Sequence, residues 1–351
     1  MFHFDASVCL LSVVLLSLCL AEPSEGAKKV IIDTDFAMPP QDDALALMLA
    51  LNSPELEILG ISTVAGNRSQ EQALVDLLRL LEIAGREELP VYAGADMPLV
   101  HEVSEYARES HGEWYSNEPP KAPPGGYPSK KAETESAVDF LLEASERYPG
   151  QISIIALGPL TNIAMAVRQD PDFGGRIRKL FIMGGAIASL PDGGGNITPN
   201  AEFNFWVDPE AARIVLRSGI PVELSPLNVS RKTGFRREQF ERIVRADTPL
   251  TRLLDETMRS MFQGPDGTGQ LMYDQVAVAS AIDPSLVKKV ELYVDVDVVQ
   301  GINYGVSVGG ERLWPGSEGA RKVWVQYDLD WERFIVLFIE RLTRAFRSNV
   351  Q

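Results

Sequence analysis

The chain alternates short runs of β-forming residues with longer segments of helical period. The strand pattern falls at 29–32, 56–64, 91–92, 152–156, 179–183 and 222–225. The helical period fits 42–51, 70–84, 134–147, 160–168, 209–218, 238–244 and 251–262. Such alternation predicts an α/β fold: a mainly parallel, Rossmann-like open sheet with helices on both faces. The strands are continuous apolar runs, Ile152-Ser153-Ile154-Ile155-Ala156 for example, as a sheet covered on both faces requires. The tail predicts one late strand at 322–327 and a closing amphipathic helix at 330–347. No internal repeat or dividing linker interrupts the pattern, so residues 29–351 read as a single domain after a short 22–28 linker.

The first strand runs directly into acids. Val30-Ile31-Ile32 is followed by Asp33-Thr34-Asp35, then a turn, Phe36-Ala37-Met38-Pro39-Pro40-Gln41, and then Asp42-Asp43 opening an apolar helix. In open α/β sheets, ligands bind beyond the carboxyl ends of strands. Four carboxylates gathered there repel one another, and a hard cation with oxygen ligands neutralises them. The helix N-terminus adds partial positive charge beside Asp42 and Asp43. The competing reading makes Asp42 a helix cap and leaves Asp33 and Asp35 as solvated loop acids.

Other polar residues stand where strands should end. They are Asn67 in Thr63-Val64-Ala65-Gly66-Asn67, Thr161 in Leu157-Gly158-Pro159-Leu160-Thr161-Asn162, and Asn196, Glu202 and Asn204 between 195 and 205. Tyr273-Asp274 opens a later apolar run. A parallel sheet brings these points to one edge. The set is rich in Asp and Asn and poor in Lys and Arg. It suits a neutral polyol such as ribose, whereas phosphate calls for Arg forks or a glycine-rich N–H cradle. Asn196, Glu202 and Asn204 also read as a loop held by its own side chains.

Composition narrows the partners. The formal charge of −16 comes from 33 basic and 49 acidic residues, with no basic run, which argues against a nucleic-acid polymer or an anionic membrane surface. Residues 8–20 are almost wholly apolar, too short to span a bilayer comfortably, and lead to a cleavage site after Ala21. Residues 1–21 therefore read as a cleaved signal peptide and the mature protein as secreted or periplasmic, with a lipid anchor at Cys19 the weaker alternative. Both cysteines, Cys9 and Cys19, lie in that segment, so the mature chain has no thiol chemistry and no disulfide. The Pro- and Gly-rich stretch 116–131 reads as a lid beside a pocket. Asn67, Asn196 and Asn228 begin glycosylation sequons.

Together, Asp33-Thr34-Asp35 with Asp42-Asp43, Thr-Val-Ala-Gly-Asn at 63–67, Leu-Gly-Pro-Leu-Thr-Asn at 157–162, Met-Gly-Gly at 183–185, Asn196 with Ala-Glu-Phe-Asn at 201–204, and Asp274 resemble the inosine-uridine type nucleoside hydrolases. The likeness runs from about residue 29 to about 281, with the elements in family order. It implies the nucleoside hydrolase fold, a bound Ca²⁺, a small ribonucleoside substrate cleaved at its N-glycosidic bond, and a homodimer or homotetramer. Carried over by position, Asp35 is a calcium ligand and the base that takes a proton from the attacking water. Asp43, the main-chain carbonyl of Thr161 and Asp274 complete the protein ligands. Asp42, Asn67, Asn196, Glu202 and Asn204 hold ribose hydroxyls, and His111 lies near the base or the 5′-hydroxyl. The 36–41 spacer is longer than the family's usual one. Tyr273 stands where many members have a His that helps protonate the leaving base. A purine-preferring branch stacks the base between aromatic rings, for which Trp114 and Tyr273 are the candidates; Trp114 also reads as a lid residue touching no ligand. Two rival readings are a calcium-containing nucleoside- or sugar-binding protein without turnover, and a hydrolase of another N-ribosyl compound.

Overall fold

The computed structural model describes residues 26–102, 104, 105, 108, 118–263 and 269–344. The predicted signal segment, His111 and Trp114 lie outside them. Among the described residues, nine strands form one sheet in the order β3-β2-β1-β4-β5-β6-β9-β7-β8. They are β1 (Lys28–Thr34), β2 (Leu56–Thr63), β3 (Val91–Tyr92), β4 (Ser153–Ala156), β5 (Lys179–Met183), β6 (Val222–Ser225), β7 (Val287–Val296), β8 (Ser307–Gly310) and β9 (Arg321–Leu329). β1 to β6 and β9 pair in parallel, whereas β7 runs antiparallel to both β8 and β9.

From β1 the chain steps outward through β2 to β3, then returns to place β4 on the other side of β1. That reversal opens a crevice beyond the carboxyl ends of β1 and β4, where α/β sheets receive ligands. Helices cover both faces. On one lie α1 (Asp42–Leu51), α2 (Gln70–Ala84), α9 (Asp274–Ile282) and α10 (Trp331–Leu342). On the other lie α3 (Ala137–Arg147), α4 (Thr161–Gln169) and α6 (Pro209–Arg217), the last preceded by the short α5 (Phe203–Val207). Helices α7 (Arg237–Val244) and α8 (Pro249–Met258) extend the first layer.

Local chemistry sets the helix ends. Ser69 caps α2 by accepting from Gln72 N–H, and Gly85 ends it at φ 65°, a conformation that glycine adopts without a Cβ penalty. Ser136 caps α3 at Asp139 N–H, so this helix starts later than its period alone suggests. Thr248 likewise starts α8 at Pro249, and the 3₁₀ turn Arg259–Phe262 follows the helix.

Helices α1 and α9 are unusual in being apolar nearly all round. Every residue of α9 is buried, as is α1 from Asp43 onward. They pack against each other, and Asp274 N–H reaches Asp42 Oδ2 at 3.4 Å while Gln275 Nε2 donates to the Asp42 carbonyl at 3.2 Å. Two helix N-termini, each opening on Asp, therefore meet at the crevice.

The stretch read as a lid takes a different place over its described part. Gln72 exchanges hydrogen bonds with the Lys121 backbone, Arg79 reaches the Pro124 carbonyl, and Glu82 accepts from Ser129 and Lys130. Residues 118–131 are thus strapped along α2, and none of them lines the crevice.

Candidate active site

A cavity of about 340 Å³ occupies the crevice. Asp42, Asn67, Asn196, Glu202, Asn204, Tyr273 and Asp274 all line it. It falls in the usual range for small-molecule sites, about 300–1,000 Å³. A groove of about 790 Å³ elsewhere, with Leu99, Met165 and Ile214 in its wall, has none of the converging acids.

Carboxylate oxygens of Asp42, Asp43 and Asp274 lie within 4.8 Å of one another. Ca²⁺ binds oxygen at about 2.3–2.6 Å, so two ligands on opposite sides of one ion stand about 5 Å apart. Asp35 adjoins this group. It sits just past the end of β1, fully buried, with its carboxyl close enough to that of Asp43 to share a proton with it. Its Oδ2 accepts from Asn67 N–H at 2.6 Å, whereas Oδ1 is buried without a hydrogen-bond partner. A buried, unpartnered carboxylate oxygen beside three further acids offers a cation a ligand that nothing else in the fold uses. The donors are all hard oxygens, which fits a hard divalent cation and not a thiolate- or imidazole-seeking metal.

The same crowding governs protonation without an ion. Burial, then the Asp43 charge, pushes Asp35 well above the carboxylate range. Asp274 moves the same way through burial and the charges of Asp42, Asp43 and Asp35. Burial and Asp43 push Asp42 up to about 7. Burial also raises Asp43, against hydrogen bonds from Thr34, Asp35 and Asn67. Each would return to the charged form beside a dication.

Asn67 does two things at once, since its side-chain amide also donates to Asp43 Oδ2 at 2.8 Å. It holds Asp35 and Asp43 together while lining the cavity. Asp33, counted among the acids of the opening motif, is turned to another task. It still belongs to the ladder, paired with Ser62, and its Oδ1 accepts from Ser62 Oγ and from Asn162 Nδ2. Burial raises it to about 6. Asp33 is thus neither a solvated loop acid nor a member of the cluster.

Across the cavity, both oxygens of Glu202 are engaged. They cap α5 at Asn204 and Phe205 N–H, and also accept from Gly185 N–H. A carboxylate has lone pairs to spare for a ligand hydroxyl. Asn204 Nδ2 donates to the Leu157 and Met183 carbonyls, fixing the ends of β4 and β5. Asn196 accepts from Phe203 N–H. The two readings of this loop therefore coexist: its side chains hold it, and it faces the cavity. Thr161 is buried at the first turn of α4, with its hydroxyl donating to Asp208.

Gln41, Leu157, Met183, Ile197 and Phe203 also line the cavity and were not singled out from the sequence. Gln41 had a signal, its place beside Asp42, and Leu157, Met183 and Phe203 stand within the quoted motifs, but Ile197 carries none that separates it from a core residue. All three sequon asparagines are engaged. Asn228 is fully buried with its amide on the Ile187 and Pro191 carbonyls, so it is closed to glycosylation in the folded chain.

A switch-point crevice with an acidic, oxygen-only cluster at its floor and amides on its wall marks an α/β fold with a small-molecule site. The chain belongs to the inosine-uridine preferring nucleoside hydrolase family, which it matches over residues 30–336. It is accordingly an N-glycosidase acting on ribonucleosides. The pyrimidine-specific ribonucleoside hydrolase RihB of Escherichia coli K12 is 34% identical over 311 residues, 87% of this chain and 94% of the relative. Among solved structures, a plant nucleoside hydrolase, PpNRh1, shares 31% identity with a TM-score of 0.75, covering 90% of this chain and 99% of its own. The purine-preferring ribonucleoside hydrolase from Gardnerella vaginalis shares 30% with a TM-score of 0.76, covering 90% and 98%.

Proposed function

We propose that this chain is an exported, calcium-dependent ribonucleoside hydrolase in which Asp35 is the general base. One observation carries the reading: the orphaned, buried Oδ1 of Asp35 beside the Asp42, Asp43 and Asp274 carboxylates. Asp35, Asp43, Asp274 and the Thr161 carbonyl would hold the ion, with Asp42 at its margin. When bound, calcium neutralises the cluster and acidifies and orients a water.

Asp35 takes a proton from the attacking water as the water's oxygen bonds to C1′ of the ribose. The C1′–N bond breaks, and its electron pair leaves with the base nitrogen, which takes up a proton. The sugar is cationic midway, and Asp42, Glu202 and the Asn204 amide oxygen supply negative potential around it. Asn67, Asn196 and Glu202 meet the ribose hydroxyls. Burial and the Asp42 charge raise the Tyr273 phenol above its ordinary value, so it stays protonated and can donate to the leaving base. One relative is described as pyrimidine-specific and another as purine-preferring, so kinship supports neither preference over the other.

The protein recovered outside the cytoplasm should begin at Glu22. It should release free base and reducing sugar from at least one of inosine, uridine, adenosine and guanosine. Chelation should abolish the release and calcium restore it. Asp35→Ala should lower kcat by about 10²–10⁴-fold, the usual share of a positioned base. Turnover that survives chelation, or an unchanged kcat in Asp35→Ala, would remove the mechanism; heat of nucleoside binding without product would remove the hydrolase itself.

A further inference from the structure

Asp208 lies far from the acidic motifs in sequence, yet it is fully buried beside the turn that meets Asp35. Its Oδ1 accepts from Ala211 N–H at 3.0 Å and caps α6. Capping needs only that one oxygen, and Ser, Thr or Asn supplies it as well. The second oxygen, Oδ2, accepts from Thr161 Oγ1 at 2.7 Å and from Leu99 N–H at 2.9 Å. Burying a carboxylate is costly unless its oxygens are used, so an Asp here points to a task beyond the cap.

The task is visible in what Thr161 begins. The turn from Gly158 to Asn162 joins β4 to α4. At its near end a Cβ on Gly158 would stand 2.8 Å from both the backbone N and the orphaned Oδ1 of Asp35. At its far end Asn162 is bolted down by bonds to Asp33 at 2.8 Å, the Thr63 carbonyl at 3.0 Å and Ala95 N–H at 2.8 Å. Thr161, between them, has Asp208 for its hydroxyl. The turn is held by two buried carboxylates, one on each of two successive residues, and it presses on a third.

We propose that Asp208 is a positioning residue of the cation site: by gripping Thr161 it keeps the Gly158–Asn162 turn seated against Asp35, and so sets how tightly the site holds calcium. The inference rests on the calcium reading above. Groups that orient the ligands of a metal commonly contribute 10–100-fold to its affinity.

The test is calorimetric titration of CaCl₂ into chelator-stripped mature protein: wild type, Asp43→Asn, Thr161→Val, Thr161→Ser, Asp208→Asn and the Thr161→Val/Asp208→Asn double variant. Thr161→Val keeps the side-chain shape, removes the hydroxyl and leaves both backbone partners of Asp208 in place. It should weaken calcium binding about tenfold or more, and Thr161→Ser should bind more tightly than Thr161→Val. Asp208→Asn should show a comparable loss. The double variant should be little worse than Asp208→Asn alone, because that variant already disturbs the bond that Thr161→Val removes. A capping role alone would leave Asp208→Asn near wild type in both melting temperature and calcium affinity, because Asn caps as well as Asp. Folded Thr161→Val that binds calcium within about twofold of wild type would overturn the inference, and it decides the matter if Asp208→Asn fails to fold. Wild type without calcium binding would overturn this and the calcium reading together. Wild type that binds, with Asp43→Asn that does not and Thr161→Val unchanged, would overturn this one alone.

Discussion

Asp35 is hemmed in by absences of side chain as much as by partners. A Cβ at Gly66 would stand 2.6 Å from Asp35 Cβ and 2.7 Å from its Cγ, closer than real Cβ atoms approach. Gly66 also precedes Asn67, whose backbone and side chain bond Asp35 and Asp43. Gly66→Ala therefore has to move either the base or the residue that ties base to ligand. A displacement of about 1 Å at a reacting group can cost about 10²-fold in rate. We expect Gly66→Ala to keep the far-ultraviolet dichroism of the wild type and lose about that factor in kcat/KM. An unchanged kcat/KM would mean that the carboxylate does not depend on this packing. The sequence displays the glycine, at the end of a strand and before an Asn, but not its reason. The reason is the Asp35 side chain, just past the end of β1 and brought close only when β1 and β2 pair.

Whole elements were legible in proportion to how fully they are buried. The parallel strands and the first Asp-headed helix, α1, read directly, since continuous apolar runs bounded by acids and turn residues leave few alternatives; α9 showed only as an apolar run after Tyr273-Asp274, with no polar face to mark a helical period. The β7–β8 hairpin did not. Val287-Lys288-Lys289-Val290-Glu291 puts charges in a strand whose early part is largely solvent-facing, so no apolar run announces it. The 116–131 stretch showed its prolines and glycines, but not that Gln72, Arg79 and Glu82 on α2 were its partners. Glu223 was hidden too, within the short strand Val-Glu-Leu-Ser. It is fully buried and accepts from Lys179 on β5, from Lys289 on β7 at 2.6 Å and from Gln326 on β9 at 2.9 Å, joining the parallel half of the sheet to the antiparallel half. Hydrogen bonds from those lysines hold its carboxyl below the usual range although burial opposes them. Removing one member of a buried ion group typically costs about 3–5 kcal/mol. Both lysines are about a quarter exposed and can turn to water. Glu223→Ala should therefore destabilise by about 2–4 kcal/mol in denaturant melts. Its kcat, measured well below the melting temperature, should stay near wild type because Glu223 lines no part of the cavity. A variant as stable as wild type would show the network to be replaceable by solvent.

At the scale of the molecule, the acidic cluster makes stability depend on pH and cation together. Unfolded aspartates titrate near 3.9. In the metal-free fold Asp33 titrates at about 6 and Asp42 at about 7, and burial and mutual repulsion raise Asp35 and Asp274 well above the ordinary value. Between about pH 4 and 7 the folded chain thus holds protons that the unfolded chain has released. Stability in chelator must fall as pH rises through that window. His101 acts oppositely: burial lowers its value, so its contribution grows as pH rises toward about 6.5 and is complete above it, but it is one group against several. Glu82, held at about 2 by bonds from Ser129, Lys130 and Arg79 despite burial, loses its contribution only below about pH 4.5, at the very foot of the window and below both melting conditions. Calcium reverses the slope, because it binds the deprotonated cluster and competes with protons for it. At a hundredfold excess over its dissociation constant it should add about 2.7 kcal/mol. Melting curves at pH 5 and pH 7.5, in chelator and in millimolar calcium, read this directly. In chelator the melting temperature should be higher at pH 5. Added calcium should raise it by a few degrees at pH 7.5 and by less at pH 5. A melting temperature in chelator that climbs with pH, or one indifferent to calcium at pH 7.5, would mean that these carboxylates do not crowd one another as the fold places them, and the proposed ion site would fall with them.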